Sequence, residues 1–211
     1  MSENFVQSTQ DSYDLVADRL ADLWHGDLAE RPLDRAVLAA FAELAGDAAA
    51  VLDAGCGPGE TTAQLVALGL QVRAIDLSES MVELARGNNP DIDVVQGSMT
   101  DLTEAAGSLD GVMAYYSTIH IPDDLLPRAF AEFARVLRPG GVLLLTFQVG
   151  TEPLVFTEIF DERVDLAFLR RTPQEVWTTL DAAGFDEYAT TVRQPVAGES
   201  TPQAYLLAIR R

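Results

Sequence analysis

Residues 51–62, VLDAGCGPGETT, form a short apolar run that breaks into glycines at alternate positions, Gly55, Gly57 and Gly59, before Thr61 and Thr62 open a helical pattern. This order reads as a strand, a tight turn and a helix N-terminus. Glycine lets the backbone take positive φ and leaves no Cβ to hold a ligand off the main chain, so a flat molecule can lie against bare peptide. In the dinucleotide fingerprint the third glycine follows the second by three residues and packs the helix close. Here Gly59 follows Gly57 by two, with Pro58 between them. The nature of the ligand therefore has to come from the rest of the chain.

Around this stretch, strand-length apolar runs alternate with amphipathic stretches, the pattern of a parallel sheet covered on both faces. Strands are expected near residues 49–54, 71–77, 92–96, 111–116 and 142–148. The helix over 78–86 has a capping signature, with Ser78 or Ser80 ahead of an acidic residue. The clearest helix carries Leu126, Phe130, Phe133 and Leu137 on one stripe and stops at Pro139-Gly140-Gly141. Upstream, a polar tail leads into a helix over 13–24 with Tyr13, Val16, Leu20 and Leu23 at helical spacing, and a second helix runs from Pro32 to Gly46. Downstream of residue 172 the pattern is a helix ending at Gly184, a strand near 187–193, a turn-rich loop and a final strand at 204–209. These elements give an α/β sheet whose last two strands form a hairpin.

The chain has 211 residues, enough for one sizeable core, and no linker-like segment divides it, so a single domain over 1–211 is expected. All 14 basic residues are arginine, which excludes a P-loop lysine, a Schiff-base lysine and the Tyr-x-x-x-Lys pair of short-chain dehydrogenases. A formal net charge of −19 repels phosphate backbones and anionic lipid, so neither nucleic acid nor a membrane is an expected partner. With one cysteine, no signal-peptide pattern and no apolar run long enough to span a bilayer, a cytoplasmic location is the default. Monomer and dimer are both permitted.

In an open parallel sheet, ligands bind beyond the carboxyl ends of the strands. The first strand ends in Asp53 and the glycine turn, and the second ends at Asp76, about 20 residues on, where an acid reaches vicinal ribose hydroxyls. A carboxylate at the end of an apolar strand is costly unless something donates to it. The third strand ends in Gly97-Ser98-Met99, and the fourth in Tyr115-Tyr116-Ser117 with His120 close behind.

Taken together, these segments resemble the class I S-adenosylmethionine-dependent methyltransferases. The resemblance runs from about Tyr13 to the end and rests on DAGCGPG at 53–59, RAIDLS at 73–78, GSMTDL at 97–102, LDGVMAYYSTIHIP at 109–122 and RVLRPGGVLLLTF at 135–147. It implies a Rossmann-like, doubly wound, mostly parallel seven-stranded sheet with a C-terminal antiparallel hairpin. In that arrangement lid helices at 9–46 lie over a cofactor core at 49–148, a variable acceptor segment at 150–171 and a terminal helix and hairpin at 172–211. The implied cofactor is S-adenosyl-L-methionine. Gly55, Cys56, Gly57, Gly59 and Thr61 would form the turn beneath it, with Asp53 holding the turn or the cofactor's amino group. Asp76 would take the ribose hydroxyls. Leu77 and Met81 would flank the adenine, Gly97, Ser98 and Met99 would meet its edge and other face, and Tyr115 and Tyr13 would lie near the methionine end.

The implied chemistry is methyl transfer to an oxygen or nitrogen of a small molecule, and His120 is the candidate base because imidazole titrates near working pH. Tyr116, His120, Phe156, Phe160 and Arg170 are candidate acceptor contacts, with a solvated role the competing reading for Arg170 and Arg171. Asp123 and Asp124 sit where a helix begins and favour its dipole. No assembled metal site is read. A cofactor-binding module without catalysis and a nicotinamide-dependent oxidoreductase are the alternative functions.

Overall fold

The computed structural model describes residues 2–196 and 198–211, with side chains from Phe5 onward; Met1 of the polar tail and Ala197 of the C-terminal loop lie outside it. Strands β1 (Ala50–Ala54), β2 (Gln71–Asp76), β3 (Asp93–Gln96), β4 (Leu109–Tyr115), β5 (Leu137–Gln148), β8 (Phe185–Arg193) and β9 (Gln203–Arg210) form one seven-stranded sheet in the order β3-β2-β1-β4-β5-β9-β8. The first five pair in parallel, while β9 runs antiparallel to both β5 and β8. The chain therefore winds outward from β1 in one direction and returns to continue from β4 in the other. That reversal opens a crevice at the carboxyl ends of β1 and β4.

Helices α2 (Pro32–Ala45) and α3 (Glu60–Ala67) cover one face of the sheet, where Leu38, Phe41, Val51, Leu65, Met113 and Leu144 pack together. On the other face α5 (Leu126–Val136) and α6 (Pro173–Ala182) bring Phe130, Phe133 and Leu180 against Leu52, Val112 and Leu143. Helix α4 (Glu79–Asn88) closes the β2–β3 edge, and its start is fixed by the Ser78 hydroxyl accepting from Met81 N at 3.1 Å.

Three expectations are revised. The polar tail is helical: α1 runs over Ser2–Trp24, and its buried stripe continues upstream through Thr9 and Ser12. The stripe was hidden because those two inward positions are polar. The variable segment 150–171 is a hairpin of β6 (Leu154–Ile159) and β7 (Glu162–Phe168), turned by Phe160 and Asp161, both at positive φ. That geometry is the usual two-residue hairpin turn, but asparagine and glycine, its usual residues, are absent. Finally, Leu137 leaves the helix stripe and pairs with Leu109, so α5 ends at Val136 and β5 begins before the Pro-Gly-Gly stop.

Gly111 sits on β4 directly beneath α2, where an added Cβ would come within 2.8 Å of Phe41 Cζ and 3.0 Å of Val51 Cγ1. Gly111→Ala is expected to lower unfolding free energy by about 1–3 kcal/mol through overpacking, as read by urea denaturation. The loss should shrink in a Phe41→Leu background; an equal loss there would remove the contact as the cause.

Candidate active site

The glycine turn is held by two amides of its own. Gly55 N and Cys56 N donate to Ile75 O on β2 at 2.8 and 3.0 Å. Gly55, at φ +79°, lies against Ser117, where a Cβ would come within 2.3 Å of the serine Cβ. Ser117 itself is pinned by its hydroxyl donating to Ala54 O at 2.7 Å. Gly57, at φ +54°, faces open space; an added Cβ there would meet nothing nearer than the Trp24 ring at 3.9 Å. Thus one glycine permits close packing and the other leaves bare backbone.

Asp76 ends β2 beside that bare backbone. Its Oδ2 accepts from Gly57 N at 2.8 Å and its Oδ1 from Ser78 N at 2.9 Å. Burial raises its pKa against those stabilising amides. The carboxylate keeps further lone pairs free for a second pair of donors. Asp53 lies behind the turn, fully buried, with Oδ2 accepting from Thr61 Oγ1 at 3.1 Å and Thr62 Oγ1 at 2.7 Å. Its place is to brace the turn onto the start of α3.

A cavity of about 370 Å³ opens over these groups at the carboxyl ends of β1, β2 and β4. The first half of its wall contains Gly55, Cys56, Gly57, Thr61, Asp76 and Leu77, followed by Met81, Gly97, Ser98 and Met99. The second half contains Tyr13, Tyr115, Tyr116 and His120, with Phe5, Val6 and Phe168 added by α1 and β7. Cys56 is a packed thiol whose pKa is pushed up by burial. Tyr115 turns its hydroxyl to Asp34 on α2, leaving its ring on the wall. Tyr116 sits at φ +50°, with its hydroxyl buried beside Tyr205. A left-handed conformation in a tyrosine costs about 1–3 kcal/mol, a strain that is found where a side chain is aimed for use.

His120 is held from three sides. Its Nε2 lies 2.8 Å from Tyr13 Oη, its Nδ1 lies 3.2 Å from Ala167 O, and the ring stacks edge-on between Tyr13 and Phe168 at centroid distances of 5.2 and 5.1 Å. Burial pulls its pKa down to about 4 and pushes that of Tyr13 up, so both are neutral at pH 7.

Not every expected residue reaches the cavity. Gly59 is the helix-start residue of α3 and lies outside the wall. Phe156 packs behind Phe168 at 5.0 Å, and Phe160 lies under the Arg19 guanidinium at 4.5 Å on the lid. Arg170 turns away to donate to Ser200 Oγ at 3.0 Å. Its neighbour Arg171 is not solvated: it is buried, pairs with Asp123 at 2.8 Å, and donates to Thr118 O and Ile121 O on either side of the His120 turn. Asp123 is thereby an ion-pair partner and not a helix cap. Among the described residues, no cluster of His, Cys, Asp and Glu could hold a metal, and no helix is long and apolar enough to cross a membrane.

A family profile described as a methyltransferase domain matches residues 51–141. The chain is 36% identical over 157 residues to the ubiquinone biosynthesis O-methyltransferase of Xanthomonas oryzae pv. oryzae (strain PXO99A), a match covering 69% of this chain and 62% of that relative. The chain belongs to the class I S-adenosylmethionine-dependent methyltransferase family. It spans less than two thirds of the length of that curated relative. Among solved structures, the Burkholderia thailandensis 1,6-didemethyltoxoflavin-N1-methyltransferase, with bound 1,6-didemethyltoxoflavin and S-adenosylhomocysteine, superposes with a TM-score of 0.79 at 21% identity, covering 100% of this chain and 90% of that one. Magnesium protoporphyrin IX methyltransferase from Synechocystis PCC 6803, with bound SAM, gives 0.76 at 18% identity, covering 98% and 97%. At these identities the two share the fold of this methyltransferase-family chain.

Of the aromatic lining expected from the N-terminal helices and the 150–171 segment, Trp24 and Phe168 do reach the wall. Phe5, Val6, Arg31 and Gln148 are wall residues that the sequence reading missed. Each is brought there by the packing of distant elements, which no local pattern fixes.

Asp53 and His120 give the site opposite pH signatures. Burial lifts the Asp53 carboxyl from 3.8 to about 6, so between these values the folded chain binds more protons than the unfolded one and stability falls as pH rises. Burial lowers His120 from 6.5 to about 4, so over that window the folded chain binds fewer protons and stability rises with pH. In urea unfolding from pH 4 to 6.5, Asp53→Asn should therefore gain stability relative to wild type by about 3 kcal/mol as pH rises, and His120→Asn should lose a similar amount. Parallel curves for wild type and both variants would remove these two groups as the source.

Proposed function

We propose that this chain transfers a methyl group from S-adenosyl-L-methionine to an oxygen or nitrogen of a small apolar or aromatic molecule. The observation that carries the reading is one continuous cavity. It brings together bare backbone, a half-buried carboxylate and a neutral Tyr13–His120 pair among aromatic rings.

The first half fits the cofactor. Gly57 offers a backbone surface without a Cβ, and Asp76 has lone pairs left for the vicinal hydroxyls of a ribose. Leu77, Met81 and Met99 supply the apolar slot for adenine, with Ser98 at its edge. Arg31, on the wall beside Asp27, suits an amino-acid carboxylate. When bound, the cofactor supplies a methyl group already activated on a sulfonium, so the protein's own task is alignment and exclusion of water.

That task falls to the second half. Phe5 and Val6 from α1 and Phe168 from β7 close over the cavity and make its acceptor end apolar. Tyr116 and Gln148 stand on the same wall. His120 is the neutral group able to receive a proton. A binding module without catalysis would have this half filled by side chains, and here it is open. The acidic surface favours small-molecule partners over nucleic acid, and a single cytoplasmic domain needing no metal is the arrangement that goes with this reading.

Calorimetric titration with S-adenosylmethionine, S-adenosylhomocysteine and NADH tests the cofactor. Binding of the first two without the third is expected, with loss of both in Asp76→Ala; binding of NADH alone would replace this reading with a dehydrogenase. Labelled methyl uptake is then measured across catechol, 8-hydroxyquinoline, tryptamine, tRNA, DNA and protein. Uptake by the small molecules is expected, and uptake by the macromolecules alone would sink the proposal.

A further inference from the structure

This inference rests on the methyl-transfer reading and deepens it. The Ala167 carbonyl 3.2 Å from His120 Nδ1 can only accept, so Nδ1 carries the ring proton and Nε2 is a bare lone pair. Tyr13 Oη, 2.8 Å from Nε2, must then donate. Both nitrogens of the imidazole are engaged, so His120 cannot meet an acceptor without displacing Tyr13. Tyr13 has spent its one proton on His120, and toward the cavity it presents lone pairs alone.

We propose that the acceptor surrenders its proton to the Tyr13 hydroxyl while Tyr13 passes its own to Nε2 of His120, so that the substrates are molecules that bind with hydrogen on the reacting oxygen or nitrogen. Tyr13 is the catalytic contact and His120 acts through it. The balance is complete. The acceptor's O–H or N–H bond breaks, its bond to the methyl carbon forms, and the C–S bond of the sulfonium donor breaks with its electron pair kept on sulfur. One proton ends on the imidazole, where Nδ1–H remains on the Ala167 carbonyl.

A phenolate, a tertiary amine or a carbanion would set lone pair against lone pair at Tyr13. Turning the tyrosine proton outward to meet it leaves Nε2 without a partner, which is unfavourable. The pair is held rigidly enough to enforce this choice. Phe168 packs edge-on to the imidazole, Leu169 N donates to Ile119 O at 2.7 Å, and Arg171 binds the Thr118 and Ile121 carbonyls behind the turn. The charged groups around the pair are Asp76, which acts on Tyr13 from the end of β2, and Arg171, which faces those carbonyls. Burial also sets the return path: an imidazole pulled down to about pKa 4 sheds an acquired proton once water re-enters.

The chain has two histidines, so ¹⁵N imidazole spectra can be assigned. At pH 7 the unloaded protein should give His120 as the neutral Nδ1–H form, and Tyr13→Phe should shift the Nε2 resonance while leaving Nδ1 in place. A protonated Nε2, or an Nε2 indifferent to Tyr13→Phe, overturns the proposal. With the acceptor that takes most label in the panel above, Tyr13→Phe and His120→Asn should each lower kcat by about 10² to 10⁴, with KM and S-adenosylhomocysteine affinity unchanged and the double variant no worse than either. Unchanged kcat in Tyr13→Phe overturns the relay. Loss of S-adenosylhomocysteine binding in Tyr13→Phe also overturns it, by making Tyr13 a cofactor contact, while methyl transfer stands. Failure of the wild-type chain to bind S-adenosylmethionine removes methyl transfer and the relay together.

Discussion

The site depends on one half-buried carboxylate. Asp76 sits at the end of β2, and the amides of Gly57 and Ser78 keep it in place, one from the glycine turn and one from the start of α4. A carboxylate in such a position is costly unless fully donated to. It therefore ties the two segments that border the first half of the cavity to a common point. The turn cannot move without stranding Asp76, and Asp76 cannot be removed without releasing two amides. Gly55 enforces the same geometry from beneath, because its contact with Ser117 couples the end of β1 to the end of β4 across the crevice.

From that point the constraint spreads to the lid. The Ser78 hydroxyl donates to Asp14 on α1, and Ser80 N donates to the same carboxylate at 3.1 Å, so Asp14 caps the start of α4 from another helix. Just upstream, Ser12 accepts from Asp165 N at 2.9 Å on β7, and Tyr13 reaches His120. Thus α1 is fastened at three successive positions: to the hairpin, to the turn after β4, and to the loop that holds Asp76. The helix that closes the acceptor half of the cavity is keyed to the residue proposed to hold the cofactor's ribose.

The core of this arrangement was legible in sequence because its signals are local. Strand periodicity, glycine spacing and an acid at the end of β2 are each fixed within a few residues, and the parallel sheet with its terminal hairpin follows from their order. The acceptor half was less legible because its walls are assembled from distant elements. Phe156 and Phe160 look like pocket residues by composition, yet β6 places one behind Phe168 and the turn places the other under Arg19. Arg170 and Arg171 are neighbours with the same side chain. Register alone sends one to Ser200 and buries the other under His120. Thr9 and Ser12 hid the first half of α1, since they are inward positions filled by polar residues.

The floor of the acceptor half is a polar network that no local pattern announces. Buried Asp34 on α2 accepts from Tyr115 at the end of β4 and from Tyr205 on β9 at 3.0 Å. Tyr205 in turn accepts from Arg193 Nε at 2.8 Å, and Arg193 grips Glu199, which also meets Arg31 at 3.5 Å. A buried network stabilises only when every member is paired, and then it specifies one arrangement. Here each hydroxyl in the chain from Asp34 to Arg193 has a partner, and Tyr116 stands beside Tyr205. Tyr116 is the residue of the group that combines left-handed backbone with a place on the cavity wall. The network holds the Tyr115 ring on that wall through Asp34, and Tyr116 packs edge-on against it at a centroid distance of 4.8 Å, so the shape of the wall is set from behind by groups that pair among themselves.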